Sequence, residues 1–225
     1  MTERCHPSAQ VHGEAGFSLV ESLIAVAISS VILLGLYLMY DVNQATFIRG
    51  EQQTDLQQNA RIGMSRLVRE VRLAGFDPQS PPIIPAPCTT AIQSATATSI
   101  SFIASVDSDS DTEKIEYTFD PACNPNCAVD PPKIRREEWT SLTGPDCTAD
   151  WAASGGAQPL AERVTGLTFT FYDDGGNVLP TPVPAGSLDD IRRIAVTITA
   201  ADTVTGSVPY PFTLQADVRP RNLGW

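Results

Sequence analysis

Residues 16–21 read Gly-Phe-Ser-Leu-Val-Glu, and they open a long apolar segment that continues to residue 40. Within residues 17–40 the only charged side chain is Glu21. A run of about 18 or more apolar residues is long enough to cross a bilayer as a helix. A carboxylate in such a segment raises the free energy of membrane insertion by about 2.5–3.5 kcal/mol, so the default interpretation is that it has a functional role. The pattern predicts a membrane-spanning helix with a functional acid near its start.

The same hexapeptide, followed by the apolar residues 22–28, resembles the class III signal of type IV prepilins and of type II secretion pseudopilins. The resemblance implies that residues 1–16 are a leader, which prepilin peptidase removes by cutting after Gly16. It also implies that the new N-terminal residue, Phe17, is N-methylated. Glu21 takes the place of the family's acidic residue, the fifth of the mature chain.

The same resemblance implies that Glu21 is an assembly contact. Its carboxylate would pair with the N-terminal amine of Phe17 on an adjacent subunit. In a setting of low dielectric constant, a misplaced subunit would leave a buried charge unpaired, so the ion pair favours one axial register. The alternative interpretation is that the Glu21 carboxylate reaches the membrane interface and is simply part of the helix start.

Composition limits the kinds of function that the chain can have. It has 225 residues and a formal net charge of −11, with a pI of about 4.5. An acidic protein is a poor partner for nucleic acid, whose phosphates need clustered Lys and Arg. Both histidines, His6 and His12, precede Gly16, so the mature chain would have none for acid–base catalysis or metal binding. We therefore expect no enzymatic activity and no cofactor.

Four of the five cysteines follow the predicted leader, and an even number in an exported domain favours two disulfides. Four cysteines allow three pairings. The favoured one joins Cys123 to Cys127 and Cys88 to Cys147. A zinc site is the alternative, although the Cys-x3-Cys spacing is loose for zinc and no histidine is available to complete the site.

Residues 41–76 are predicted to continue the helix in amphipathic form. Apolar residues recur every three or four positions, which gives one buried stripe; they are Leu56, Ala60, Met64, Leu67, Val71 and Ala74. Gly75 is the predicted helix stop. The arginines of this segment lie mainly outside the stripe; they include Arg61, Arg66, Arg69 and Arg72. This pattern is typical of a solvated helix face, and a basic patch for an acidic partner is the alternative.

Residues 77–97 are rich in proline and predict an extended linker, and residues 98–225 predict an antiparallel β head. Alternating apolar residues define the predicted strands around Phe102, Tyr117, Phe169, Val196 and Leu214. Residues 133–139 are predicted to return as an antiparallel partner, and the Asp-Asp-Gly-Gly-Asn turn at residues 173–177 predicts a hairpin. Pro209 and Pro211 predict that the last strand starts at a sheet edge. The fold class is α+β, a type IV pilin-like long helix packed on an antiparallel β-sheet.

One acidic stretch has the spacing of a calcium-binding loop. Asp107, Asp109 and Asp111 alternate with serines, and alternate acids can converge on a hard cation. Thr112 and Thr118 stand where an EF-hand loop needs Gly and Glu. A solvated turn before a strand is the favoured interpretation, with calcium as the alternative.

The layout resembles the larger minor pilins, the PilW-like group, and their relative, the J-type pseudopilin of type II secretion. The resemblance uses three further stretches, residues 167–173, 191–198 and 218–222. It implies a part in initiating pilus assembly or in the tip complex. The implied partners are prepilin peptidase, major and minor pilins, the inner-membrane assembly platform and, before assembly, membrane lipid. It also implies an inner-membrane location with a cytoplasmic leader and a periplasmic head, then the pilus surface. A signal-anchored periplasmic binding protein that never polymerises is the alternative from another class.

Overall fold

The computed structural model describes residues 17–76, 90–107, 112–122, 130–141, 151–153, 155–201 and 211–223. The four cysteines of the predicted disulfides lie outside these ranges, as do Asp109 and Asp111. The chain divides into two compact units, Met1–Gly50 and Glu51–Trp225. The second unit contains every strand, and we call it the head.

The helix α1 runs from Leu19 to Arg72. In the head it buries one stripe, which is the predicted one with Gly63 and Glu70 added; the buried residues of α1 are Leu56, Ala60, Gly63, Met64, Leu67, Glu70 and Val71. The predicted helix stop is confirmed, because Gly75 follows the helix with a φ of +79°, a conformation that favours glycine. Its amide donates to the carbonyl of Ile103 at 2.8 Å, which attaches the helix end to a strand.

Two antiparallel sheets make up the β part of the head among the described residues. The first sheet contains β1 (Ile92–Ala95), β2 (Ser99–Ala104), β3 (Glu113–Asp120), β4 (Lys133–Ser141), β5 (Trp151–Ala153) and β6 (Gln158–Glu162). They follow the order β1-β2-β3-β4-β5, and β6 also pairs with β4. The second sheet contains β7 (Val164–Tyr172), β8 (Arg193–Ala200) and β9 (Phe212–Val218), in that order.

A single core joins the helix stripe to both sheets of the head. The largest fully buried side chains come from every layer, and they include Leu67 of α1, Phe102 and Tyr117 of the first sheet, and Phe169 and Phe171 of the second. The two sheets also meet through main-chain hydrogen bonds, such as Phe169 N–H to Ala97 O at 2.8 Å. The α+β class, a long N-terminal helix followed by an antiparallel β head, is confirmed.

The structure changes three details of the predicted strands. The head has two sheets where one was expected, and β1 lies inside the segment predicted as linker. The turn at residues 173–177 forms, with Asn177 N–H donating to Asp173 Oδ1 at 2.7 Å, but it closes only one bridge, Tyr172 with Val178. The turn thus closes a short hairpin, but it does not connect β7 to β8, because residues 173–192 lie between these strands and include a 3-10 turn, Ala185–Asp190.

Candidate assembly site

The candidate site begins where α1 begins. Ser18 accepts the first helical hydrogen bond, from Ser22 N–H at 3.1 Å, and Glu21 lies in the first turn of the helix. The first turn of a helix has amide groups without intrahelical partners and the positive end of the helix dipole, both of which stabilise a carboxylate. Phe17 precedes the helix and is 78% exposed. Gly16, the predicted cleavage residue, lies outside the described residues.

The apolar side chains of the first half of α1 are exposed. Every described residue from 17 to 51 is exposed, and the most apolar window of the helix has a mean hydropathy of 2.4 with none of it buried. The core helix of a soluble protein would bury most of such a window. By length and composition, α1 is the one helix of the described residues that could cross a membrane. A surface this apolar requires lipid or other protein around it.

Two tyrosines mark the end of this apolar segment. Tyr37 and Tyr40 are both exposed, and the charged Asp41 follows directly. Tyrosine is enriched at membrane–water interfaces, where the ring meets hydrocarbon and the hydroxyl meets water. Their position agrees with a span over residues 17–40. An exposed apolar helix near the N-terminus, together with the motif before it, is consistent with a membrane-anchored protein.

The head contains a buried polar cluster that sequence reasoning missed. Glu70 of α1 is only 3% exposed, and its carboxylate accepts three hydrogen bonds from charged or phenolic donors. Arg66 Nε donates to Oε1 at 2.8 Å, while Tyr117 Oη and Arg136 Nε donate to Oε2 at 2.6 and 2.8 Å. Arg136 also donates to Glu138 Oε2 at 2.6 Å. The cluster therefore connects α1 to β3 and β4.

The electrostatics of the cluster keep its groups in their ordinary charge states near neutral pH. Burial alone would raise the pKa of Glu70, but hydrogen bonds from Arg66, Tyr117 and Arg136 outweigh it and lower the pKa below the ordinary value. Burial and the neighbouring Glu70 carboxylate raise the pKa of Tyr117. Burial opposes charge on Arg136, yet its bonds to Glu70 and Glu138 raise its pKa. The arrangement suits a fixed structural contact.

The calcium alternative to a solvated turn at residues 107–111 gains no support from the described part of the chain. Asp107 is exposed there, while Asp109 and Asp111 fall outside it. The described residues include no group of three or more His, Cys, Asp or Glu side chains that could hold a metal ion.

The comparisons with known proteins concern the N-terminus. Residues 12–37 match the family model described as the prokaryotic N-terminal methylation motif. The match covers the predicted cleavage position, Phe17 and Glu21, and it extends well into the exposed apolar half of α1. No curated protein matches the chain. With this motif, the exposed apolar helix and the β head, the chain is a type IV prepilin- or pseudopilin-like protein.

Proposed function

We propose that this protein is a minor type IV pilin that takes part in initiating pilus assembly or in the pilus tip complex. Prepilin peptidase cleaves it after Gly16 and methylates the amine of Phe17. The apolar half of α1 holds the subunit in the inner membrane with its head in the periplasm. The same half then packs among the helices of other pilins. The function is structural, and no enzymatic step is needed for it.

The observation that carries the proposal is that every described residue from 17 to 51 is exposed, with Glu21 as the only charged residue within 17–40. Lipid can solvate the apolar side chains before assembly, and neighbouring helices can cover them afterwards. A buried carboxylate needs a partner of opposite charge. A free amine at Phe17 of an adjacent subunit would supply it, which ties the role of Glu21 to cleavage after Gly16.

Mass spectrometry of the N-terminus tests the proposal. The protein is expressed in a strain with active prepilin peptidase and in a matched strain without it. We expect N-methyl-Phe17 as the first residue in the active strain and an intact leader in the other. An intact Met1 terminus in the active strain would reject the pilin function.

A deletion strain then tests the minor-pilin role. Loss of surface pili, with type II secretion intact, is expected. Loss of secretion with normal pili would assign the protein to the type II secretion pseudopilins instead. If the N-terminus is processed and yet no filament contains the protein, the role in assembly fails although the processing stands.

A further inference from the structure

The strand β9 is an open edge of the second sheet. It pairs with β8 at all seven of its positions, Phe212–Val218, without a bulge. Among the described residues, the main chain of β9 makes no hydrogen bond beyond that ladder. The outer edge of such a strand presents a row of N–H and C=O groups, which is a template for pairing with another strand.

Two other sheet edges are bonded by segments of the head itself. In the second sheet, the edge strand β7 is bonded on its outer side, where Phe169 N–H donates to Ala97 O at 2.8 Å. In the first sheet, the edge strand β1 is bonded by Val183 N–H, which donates to Ala95 O at 2.8 Å. Both of these edges therefore have main-chain partners within the head.

The remaining edge of the first sheet, formed by β5 and β6, is protected in other ways. β5 has only three residues. β6 contains Pro159, and its Ala161 lies in close contact with α1. Short strands, prolines and charged side chains are common protections of a sheet edge. β9 is seven residues long without a proline, and its one charged side chain, Asp217, is paired at 2.9 Å with Arg193 of β8, away from the edge.

The strand pairing identifies the main-chain groups of β9 that point outward. In an antiparallel sheet, the residues of a strand alternate between bonding to one neighbour and to the other. Phe169 of β7 bonds to Ala97, away from β8, so its partner Val196 bonds in the other direction, to Ala216 of β9. The residues of β9 that alternate with Ala216 therefore direct their N–H and C=O groups away from the sheet; they are Thr213, Gln215 and Asp217.

The core-facing side chains of β9 are incompletely covered. Phe212, Leu214 and Ala216 are half-buried, whereas the β8 residues paired with the last two, Ile198 and Val196, are fully buried. A further strand with apolar residues at alternate positions would continue the core face of the sheet and remove more of this apolar surface from water.

β9 itself has the features that its open edge requires in a partner. About a twofold axis at Gln215, a second β9 runs antiparallel to the first, and every outward N–H meets an outward C=O. Thr213 then lies opposite Asp217 of the second copy, and Leu214 lies opposite Ala216, so no like charges face each other. The apolar residues of both strands fall on the same face, because side chains alternate along a strand.

We propose that β9 is a docking edge for a second copy of this chain. The two β9 strands pair antiparallel about Gln215 and join the second sheets of two heads into one sheet. The contact is isologous, so it closes with two copies and leaves no further edge of this kind open. The proposal goes beyond incorporation into a filament, and it does not depend on cleavage after Gly16.

Sedimentation velocity of the full chain in non-ionic detergent, over a range of concentrations, tests the proposal. The unmodified chain should form a reversible dimer. Gln215→Pro removes one outward N–H from each copy and no hydrogen bond to β8. It should weaken the dimer by about 5- to 100-fold, as expected for two lost hydrogen bonds. The matched control, Gln215→Thr, keeps the N–H and suits a strand, so its dimer affinity should stay within about twofold of the unmodified chain.

Disulfide crosslinking of the full chain tests the register and serves also if Gln215→Pro fails to fold. Gln215→Cys places the thiols of two copies directly opposite each other at the axis, at a separation that a disulfide can span. Under mild oxidation it should give more crosslinked dimer on a non-reducing gel than the unmodified chain, whose own cysteines set the background. Thr197→Cys is the control, because Thr197 lies beside Gln215 on the same face but in the central strand β8. It should stay at the background.

Three results would overturn the proposal. One is an unmodified chain that stays monomeric at every concentration. Another is equal dimer affinity in the unmodified chain and a folded Gln215→Pro variant, which would locate the contact elsewhere, such as on the apolar half of α1. The third is crosslinking of Thr197→Cys to the same extent as Gln215→Cys. None of these results depends on N-terminal processing, so the proposed function and this inference can fail separately.

Discussion

The phenolic oxygen of Tyr117 donates a hydrogen bond of 2.6 Å to Oε2 of Glu70, and this contact joins β3 to the long helix inside the core of the head. Arg136 of β4 donates to the same oxygen at 2.8 Å. One carboxylate therefore receives donors from two strands. The contributions of Glu70, Tyr117 and Arg136 to the free energy of unfolding should therefore be coupled, because each of these buried groups is hydrogen-bonded within the same cluster.

The first prediction concerns the loss of the Glu70 charge. Glu70→Gln leaves the buried guanidinium of Arg136 with less compensation, so it should lower the free energy of unfolding by about 3 kcal/mol. Tyr117→Phe removes one hydrogen bond and should cost about 1–2 kcal/mol. Denaturant unfolding of the full chain in detergent measures both, with the exposed Glu162→Gln as the control that should change little. Fully additive effects in the double variant would contradict a coupled cluster.

The second prediction concerns pH. The pKa of Glu70 in the folded head lies below its ordinary value of 4.5, so the folded state binds this proton less readily than the unfolded chain. The stabilisation is present above the ordinary value and is lost as the pH falls through the lower pKa of the folded state. The difference in unfolding free energy between the unmodified chain and Glu70→Gln should therefore shrink below about pH 4. A difference that stays constant down to pH 2.5 would contradict this role of the carboxylate.

The third prediction concerns the close approach of α1 to β6. A Cβ atom at Gly63 would lie 2.9 Å from the Cβ of Ala161, which is buried and has no flexible end that can move aside. Gly63→Ala should destabilise the head by about 1–3 kcal/mol through overpacking, although alanine is the better helix former. Gly50→Ala is the matched control, since nothing lies within 4 Å of a Cβ there. It should be neutral or stabilise the protein by up to about 1 kcal/mol.

The fourth prediction concerns Glu21. Glu21→Ala should leave cleavage after Gly16 intact, because the cleavage position is unchanged, and should reduce the protein in sheared filaments by about tenfold or more, as expected for a buried amine left without its partner. Mass spectrometry measures cleavage, and immunoblots of filament fractions measure incorporation. Glu51→Ala, an exposed acid further along the same helix, should assemble normally. If the Glu21→Ala variant is incorporated normally, Glu21 is only part of the helix start and is not an assembly contact.

Periodicity predicted the parts of the fold that follow one local rule. The stripe from Leu56 to Ala74 is buried as its spacing predicts, and the alternation around Phe169 gives β7. Glu70 was missed because a charged residue is usually assigned to the solvated face. Its position three residues after Leu67 placed it in phase with the stripe, and that was the available signal. Its partners on the strands could not be found in this way, since Tyr117 and Arg136 meet it only through the tertiary fold.

Local sequence patterns also could not predict that the strands of the head divide into two sheets. The turn at residues 173–177 has the composition of a hairpin, and it folds tightly around Asp173. Its continuation pairs at one bridge only, because residues 181–190 leave the sheet through Pro182 and the 3-10 turn. Long-range pairing, β7 with β8, decides the topology. Of the candidate site, the motif at residues 16–21 could be predicted from the sequence, while the polar cluster around Glu70 required the fold.

The hydrogen bond from Arg221 to Arg72 also sets an order of events during biosynthesis. The end of the long helix is closed by residues that follow β9, the strand that completes the second sheet, so the ribosome adds them after every described strand. A nascent chain that lacks this segment has an open helix end and an incomplete sheet. The head can therefore finish folding only after residues 212–221 have been synthesised. Premature termination near β9 should leave an anchored but unfinished subunit, a substrate for proteolysis.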